Sequence, residues 1–372
     1  MRLETIAVHA GAQVDGETGA VTPPIHMSTT FEHPADASQL SGFIYARYAN
    51  PTQDRLETAL AALDGGVRAL AFASGMAAAS ALLQNLPAGS HVLMADDTYF
   101  AIRKLALTWF PRWGLHLSLV DMTDPDAVRA ALRPDTRCLW VETPSNPLIK
   151  LTSIAAIAEI ARSACATLVV DATFATPFLL QPLSLGADVV LHSTTKYLAG
   201  HSDVTGGALI FANEDALCLA VLESRKLLGA IANPFASWLV LRGLRTLAPR
   251  IDWHQRNASA VADFLAAQPR VAKVHYPGLS SHPQHALTRT EMRGPGGMLS
   301  FEVAGSRADA IDVAAKLRLF VNATSLGGFE SLVEHRQSIE GSGSTTPAQL
   351  LRLSVGLEHA EDLIADLAQA LA

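Results

Sequence analysis

Between residues 67 and 211, short apolar runs recur with amphipathic stretches between them, and this alternation restricts the fold more than any other feature. The runs at 67–72, 91–95, 115–120, 137–141, 168–170, 189–191 and 207–211 read as strands. Several are β-branched and unbroken by polar residues, as strands buried on both faces are. The Ala-rich stretch 76–85, the stretch 99–109 and the face Ile154, Ile157, Ala161 behind Thr152 or Ser153 read as helices. Seven strands with intervening helices predict an α/β chain with one large, mostly parallel sheet covered on both sides.

Near Pro249 the pattern changes. Ile251, His254, Ala258, Val261 and Leu265 mark a long amphipathic helix. Strands at 271–275 and 298–303, a helix near 308–316 and a last one at 361–371 follow. This predicts a smaller C-terminal α+β domain. Residues 1 to about 60, broken by Gly11, Gly16, Gly19 and Pro23-Pro24, read as an irregular arm that wraps a neighbouring subunit, binds a ligand, or both. The expected division is an arm at 1–60, a large domain at 61–248 and a small one at 249–372. A polar stretch from Gly341 to Pro347 reads as a mobile loop.

A chain of 372 residues with 49% hydrophobic and 17% charged residues suits two domains and an oligomer. A net charge of −7 without a basic block argues against nucleic-acid or acidic-membrane partners. Residues 1–10 lack a secretory apolar core, and no run approaches a membrane span. Cys138, Cys165 and Cys218 are scattered, which fits a reducing cytoplasm and neither a disulfide framework nor a metal site. His282 and His285 lack a third ligand, so no metal is expected. Gly294-Pro-Gly-Gly297 leads into a strand, unlike a dinucleotide fingerprint.

The chemistry gathers at two strand ends. Asp171 and Thr173 follow one run, and Ser193, Thr195 and Lys196 follow the next. Ligands of open α/β sheets collect at such carboxyl ends. A lysine able to form a Schiff base, an aspartate able to face a protonated pyridine nitrogen and phosphate-binding hydroxyls suit pyridoxal 5'-phosphate. Ser74-Gly75-Met76 opens a helix, where backbone amides bind phosphate, although Ser74 also serves as an ordinary cap. Tyr99 can stack on a ring or pack in the core. Tyr45 and Arg47, two apart, point the same way in an extended arm. Asn146 holds a ring oxygen or closes a turn. Arg352, inside an apolar run, pairs with a substrate carboxylate or an internal acid.

These residues sit in ordered motifs. They include Val8-His-Ala-Gly11, Tyr45-Ala-Arg47, Ala73-Ser-Gly-Met76, Glu142-Thr-Pro-Ser-Asn-Pro147, Asp171-Ala-Thr173 and Ser193-Thr-Thr-Lys-Tyr-Leu-Ala-Gly-His-Ser-Asp203. Ser325-Leu-Gly-Gly-Phe-Glu-Ser-Leu332 and Leu351-Arg-Leu-Ser-Val-Gly-Leu-Glu358 complete the set. Over essentially the whole chain they resemble the Cys/Met-metabolism PLP-dependent enzymes, the transsulfuration family of fold type I. The resemblance implies a cofactor held covalently on Lys196, with Lys196, Tyr99 and Tyr45 as catalytic residues. It implies Asp171 at the pyridine nitrogen, Tyr99 on the ring, Gly75, Met76, Ser193 and Thr195 at the phosphate, and Asn146, Ser325 and Arg352 around the substrate. Tyr45 and Arg47 would enter from a neighbouring subunit of a homotetramer built from two active dimers.

Three departures bear on the reaction. Thr324 stands where many γ-lyases and γ-synthases of the family carry Glu. Phe100-Ala101 follows Tyr99 in place of the frequent glycine pair. Glu334-His-Arg-Gln-Ser-Ile-Glu-Gly341 replaces the usual Met-Thr-His-Ala neighbourhood. The expectation is a cytoplasmic carbon–sulfur lyase acting on cystathionine or a related sulfur amino acid, with γ-replacement on an activated homoserine as the alternative.

Overall fold

A computed structural model describes residues 1–36, 38 and 42–372 of the chain. Positions 37 and 39–41 of the expected arm lie outside the described residues. The apolar runs form β1 (Arg68–Phe72), β2 (His91–Ala95), β3 (His116–Val120), β4 (Thr136–Glu142), β5 (Thr167–Asp171), β6 (Val189–His192) and β7 (Gly207–Phe211), ordered β1-β7-β6-β5-β4-β2-β3. β7 pairs antiparallel with both neighbours, and the remaining pairs are parallel. Its direction follows from the link: residues 193–206 turn back along the edge with no crossover helix, which a parallel strand would need. Because β7 is reversed, β1 and β6 point the same way and end at one edge.

Each face of this sheet carries its own apolar layer. One is built on Leu60, Leu139, Val141, Leu168 and Val170, the other on Phe72, Met94, Trp140, Val169 and Leu209. The second sheet contains β8 (Val271–His275), β9 (Met298–Val303), β10 (Val321–Asn322), β11 (Leu332–His335) and β12 (Leu350–Ser354), ordered β10-β11-β12-β9-β8. The helices Leu247–Ala266, Arg307–Lys316 and Ala360–Leu371 pack on it through Val261, Leu265, Val313, Leu363 and Leu367.

The N-terminal segment is more regular than its glycines and prolines suggest. Leu3–His9 is helical, and Pro51–Asp64 is a helix of 14 residues. Asn50 caps it by accepting from the Thr52 N–H at 2.9 Å, and Pro51 occupies the first position, where its missing N–H is harmless. This helix buries Leu56, Ala59, Leu60 and Leu63 in the large core. Truncating Leu60 there costs about 2–5 kcal/mol.

The arm also turns where it was expected to be extended. Thr30 bridges Tyr45, and Tyr48 and Ala49 then donate back to the Tyr45 carbonyl, closing a turn over Ala46–Tyr48. The 341–347 stretch, read as mobile, is tied down by Glu340, which accepts from the Ser344 and Thr346 hydroxyls at 2.5 and 2.8 Å.

Candidate active site

β1, β4, β5 and β6 end at the same edge of the large sheet, and the site is set by the last residues of β4 and β5 and by the turns that follow β1 and β6. Between this edge and the small sheet lies a cavity of about 180 Å³. Every predicted site residue lines it except Tyr45 and Arg47. Arg47 donates to the Lys226 carbonyl at 2.7 Å, and its guanidinium lies 5.4 and 4.9 Å from the Tyr45 and Tyr48 rings. Within one chain these two arm residues stand apart from Lys196.

Lys196 follows β6 in a tight turn and donates from Nζ to Ser325 Oγ at 2.7 Å. Burial, assisted by the Arg352 charge and opposed by Glu334, pushes its amine down to about 8. A free amine is thus accessible near neutral pH, as a nucleophile or a proton carrier needs. Asp171, last in β5, accepts from the Thr173 N–H and hydroxyl at 3.0 and 2.6 Å. Burial pushes its carboxyl above the usual range although Thr173 pulls the other way. A cation in the cavity would favour its ionised form.

The hydroxyls divide their work differently from the sequence expectation. Thr173 Oγ1, besides donating to Asp171, accepts from the Ser193 N–H at 2.9 Å. Thr195 Oγ1 is engaged on both sides by Gly206, donating to its carbonyl at 3.2 Å and accepting from its N–H at 3.0 Å. Ser193 faces the start of the helix Gly75–Gln84. Ser74 caps that helix through the Ala77 N–H at 3.0 Å, leaving the first-turn amides of Gly75 and Met76 without intrahelical partners. A Cβ on Gly75 would lie 3.0 Å from Ser193 Cβ and 3.2 Å from its Oγ. The glycine therefore keeps open a gap between a helix N-terminus and a hydroxyl, which suits a phosphate.

Tyr99 begins the helix Phe100–Trp113, its N–H donating to Glu142 Oε2 at 2.7 Å. Glu142, missed in the sequence as a site residue, ends β4 directly beside Asp171 in the sheet register. Burial and the Asp171 charge raise its carboxyl well above the usual range. Its partners, Tyr99 and Asp171, come from distant segments. Asn146 and Arg352 meet: Arg352 Nη1 donates to Asn146 Oδ1 at 3.0 Å. Arg352 also pairs with Glu334 at 2.7 Å, so its internal acid exists, and it lines the cavity as well. Glu334 and Arg336 were read only as a departure. Glu334 lies opposite Arg352 in the sheet and Arg336 just past the end of that strand, a pairing that spacing in the sequence does not reveal.

The gap at the helix start, the amine lowered to about 8 and the buried carboxylate fit pyridoxal 5'-phosphate, and with the sheet order they define an enzyme of that cofactor's fold type I class. The crystal structure of metB from Corynebacterium glutamicum overlays with a TM-score of 0.97 at 41% identity, covering all of this chain and 98% of that one. The Cys/Met metabolism PLP-dependent enzyme family matches residues 4–372, and the chain belongs to it. It is 48% identical over 373 residues to a cystathionine gamma-synthase of Mycobacterium tuberculosis, covering 99% of this chain and 96% of the relative. It is 41% identical over 379 residues to a cystathionine beta-lyase of Lactococcus lactis subsp. cremoris, covering 99% and 98%. The chain is thus a PLP-dependent enzyme of the transsulfuration family, whose named relatives include synthases and lyases. Among the described residues, no helix is long and apolar enough to cross a membrane.

Proposed function

We propose that this enzyme is a transferase that replaces the acyloxy group of an activated homoserine with a thiol, forming a cystathionine-type thioether in methionine and cysteine metabolism. One observation carries the choice. The chain is 48% identical to a cystathionine gamma-synthase and 41% identical to a cystathionine beta-lyase. A pocket of about 470 Å³ beyond Asn146, between the helix Phe100–Trp113 and residues 340–346, offers room for the second amino-acid moiety of cystathionine, which its synthesis and its cleavage both require.

Bound pyridoxal 5'-phosphate supplies an electron sink for the substrate carbon attached to nitrogen. Lys196 would hold it and then carry protons off and back at the substrate's α and β carbons, while the γ carbon exchanges its carboxylate leaving group for the thiol sulfur; Ser325 keeps the amine on the cavity side. Asp171 would pair with the ring nitrogen, and Tyr99 would supply an aromatic face for the ring; both line the cavity. The Gly75 and Met76 amides and the Ser193 hydroxyl bind the phosphate, with Thr173 and Thr195 fixing the turn that carries Ser193. Arg352 and Asn146 hold the substrate carboxylate. Tyr45 and Arg47 complete a neighbouring subunit's site within a homotetramer. Exposed Met27, Tyr48, Leu227, Leu228 and Phe235 offer apolar surface for such contacts. The free cysteines suit a cytoplasmic enzyme.

A second reading, β-elimination from cystathionine, draws on Thr324. It stands where γ-acting relatives commonly carry a carboxylate, and its hydroxyl donates to Glu334 at 2.6 Å. Product analysis separates the two. With an O-acylhomoserine and L-cysteine, replacement yields cystathionine as the main product. The lyase reading predicts pyruvate and ammonia from cystathionine alone, with no thioether synthesis.

A further inference from the structure

β11 and β12 run antiparallel with Glu334 directly opposite Arg352, so both side chains leave one face of the small sheet. Both are nearly sealed from solvent, at 2% and 3% exposure. Glu334 Oε2 accepts from Arg352 Nη2 at 2.7 Å and from Arg336 Nη1 at 2.5 Å. Its Oε1 accepts from the Thr324 hydroxyl at 2.6 Å. Arg336 is steadied by Glu340 at 3.1 Å. Arg352 further donates from Nη2 to the Ser325 carbonyl and from Nη1 to Asn146, both at 3.0 Å. A guanidinium is planar with five fixed N–H donors, so three acceptors at set positions define its plane and direction.

We propose that Glu334 is a positioning residue that aims Arg352 at the substrate carboxylate, and that Thr324 and Arg336 hold Glu334 in place. This rests on the reading of Arg352 as the carboxylate binder. Two departures from the family pattern, at 324 and at 334–341, thereby become one device, because the altered residues touch each other. Burial pushes the Glu334 carboxyl up, but Arg352 and Arg336, with the Thr324 hydrogen bond, outweigh it and keep the group below the usual range. The anion is therefore present across neutral pH. Without it, the buried Arg352 guanidinium would lose its anionic partner and keep the neutral Asn146 and Ser325 acceptors, so its direction would be held less firmly.

The test compares ligands with and without the α-carboxylate. Holoenzyme is titrated at fixed pH with L-alanine and with L-alaninamide, which lack a leaving group, and binding is read from the visible absorption. Glu334→Gln should raise the Kd of L-alanine about tenfold or more while changing that of L-alaninamide less than about twofold, since only the former uses the charged hydrogen bonds of Arg352. Arg352→Gln tests the underlying reading. If it leaves the preference for L-alanine intact, Arg352 does not bind the carboxylate and the proposal falls with that reading. If Arg352→Gln abolishes the preference and Glu334→Gln preserves it, the positioning role alone is wrong. The double variant Glu334→Gln/Arg336→Gln removes one charge of each sign and serves where the single variant does not fold. Continued loss of the preference is expected, and its restoration would reduce Glu334 to a neutralising role and overturn the proposal.

Discussion

Lys196 and Ser325 are 129 residues apart in the chain, yet Nζ and Oγ lie 2.7 Å from each other, joining the edge of the large sheet to the small domain. Ser325 achieves this with φ of 115°, a conformation that side-chain-bearing residues avoid at a cost on the order of 1–3 kcal/mol. Its carbonyl accepts from Arg352 at 3.0 Å. One strained serine thus touches both the amine proposed to carry the cofactor and the guanidinium proposed to hold the substrate.

The amine of Lys196 should titrate well below an ordinary lysine, because burial disfavours its charged form. Its pKa is lowered to about 8, so the free amine gains population as pH rises through that value, well before an ordinary lysine titrates. The rate at which the cofactor-free protein captures pyridoxal 5'-phosphate should therefore climb between about pH 7 and 9 and then level off. Stopped-flow absorbance measures it. A rate still climbing with the same slope at pH 10 would show an unperturbed lysine.

Gly75→Ala should weaken cofactor binding about tenfold with little change in the Tm of the cofactor-free protein. The added methyl meets Ser193 at 3.0 Å and closes the gap assigned to the phosphate, whereas a helix start tolerates alanine. Equilibrium titration gives the Kd. An unchanged value would move the phosphate elsewhere.

Arg47 and Lys196 should complement each other between subunits. A Lys196→Ala chain should be inactive alone and an Arg47→Ala chain strongly impaired. Mixed oligomers should contain sites with both residues intact and regain a fraction of wild-type turnover, measured after verified subunit exchange. No recovery would mean that the arm serves its own chain.

The large sheet was legible because its strands are short, apolar and bounded by turns, and the core does not let such segments adopt another register. The direction of β7 was not, since Gly207–Phe211 reads alike either way and only the link before it decides. The helix Pro51–Asp64 was hidden because Asn50-Pro51 is a helix start as well as a turn. At the site, Lys196, Asp171, Ser193 and Gly75 were marked by their places after strands. Glu142, Glu334 and Arg336 escaped because their importance lies in partners from distant segments, which spacing alone does not reveal. The motifs common to the family do not separate a lyase from a transferase, because both reactions run on the same cofactor machinery.

The central claim is that Lys196 carries the cofactor, and chemical trapping tests it directly. Holoenzyme reduced with borohydride and digested should carry the phosphopyridoxyl mass on the peptide containing Lys196 alone, with Lys150 and Lys226 unmodified. Lys196→Ala should show no such adduct, no visible cofactor band and turnover lower by about 10³-fold or more. An adduct on another lysine, or an active Lys196→Ala enzyme that keeps the band, would contradict the account.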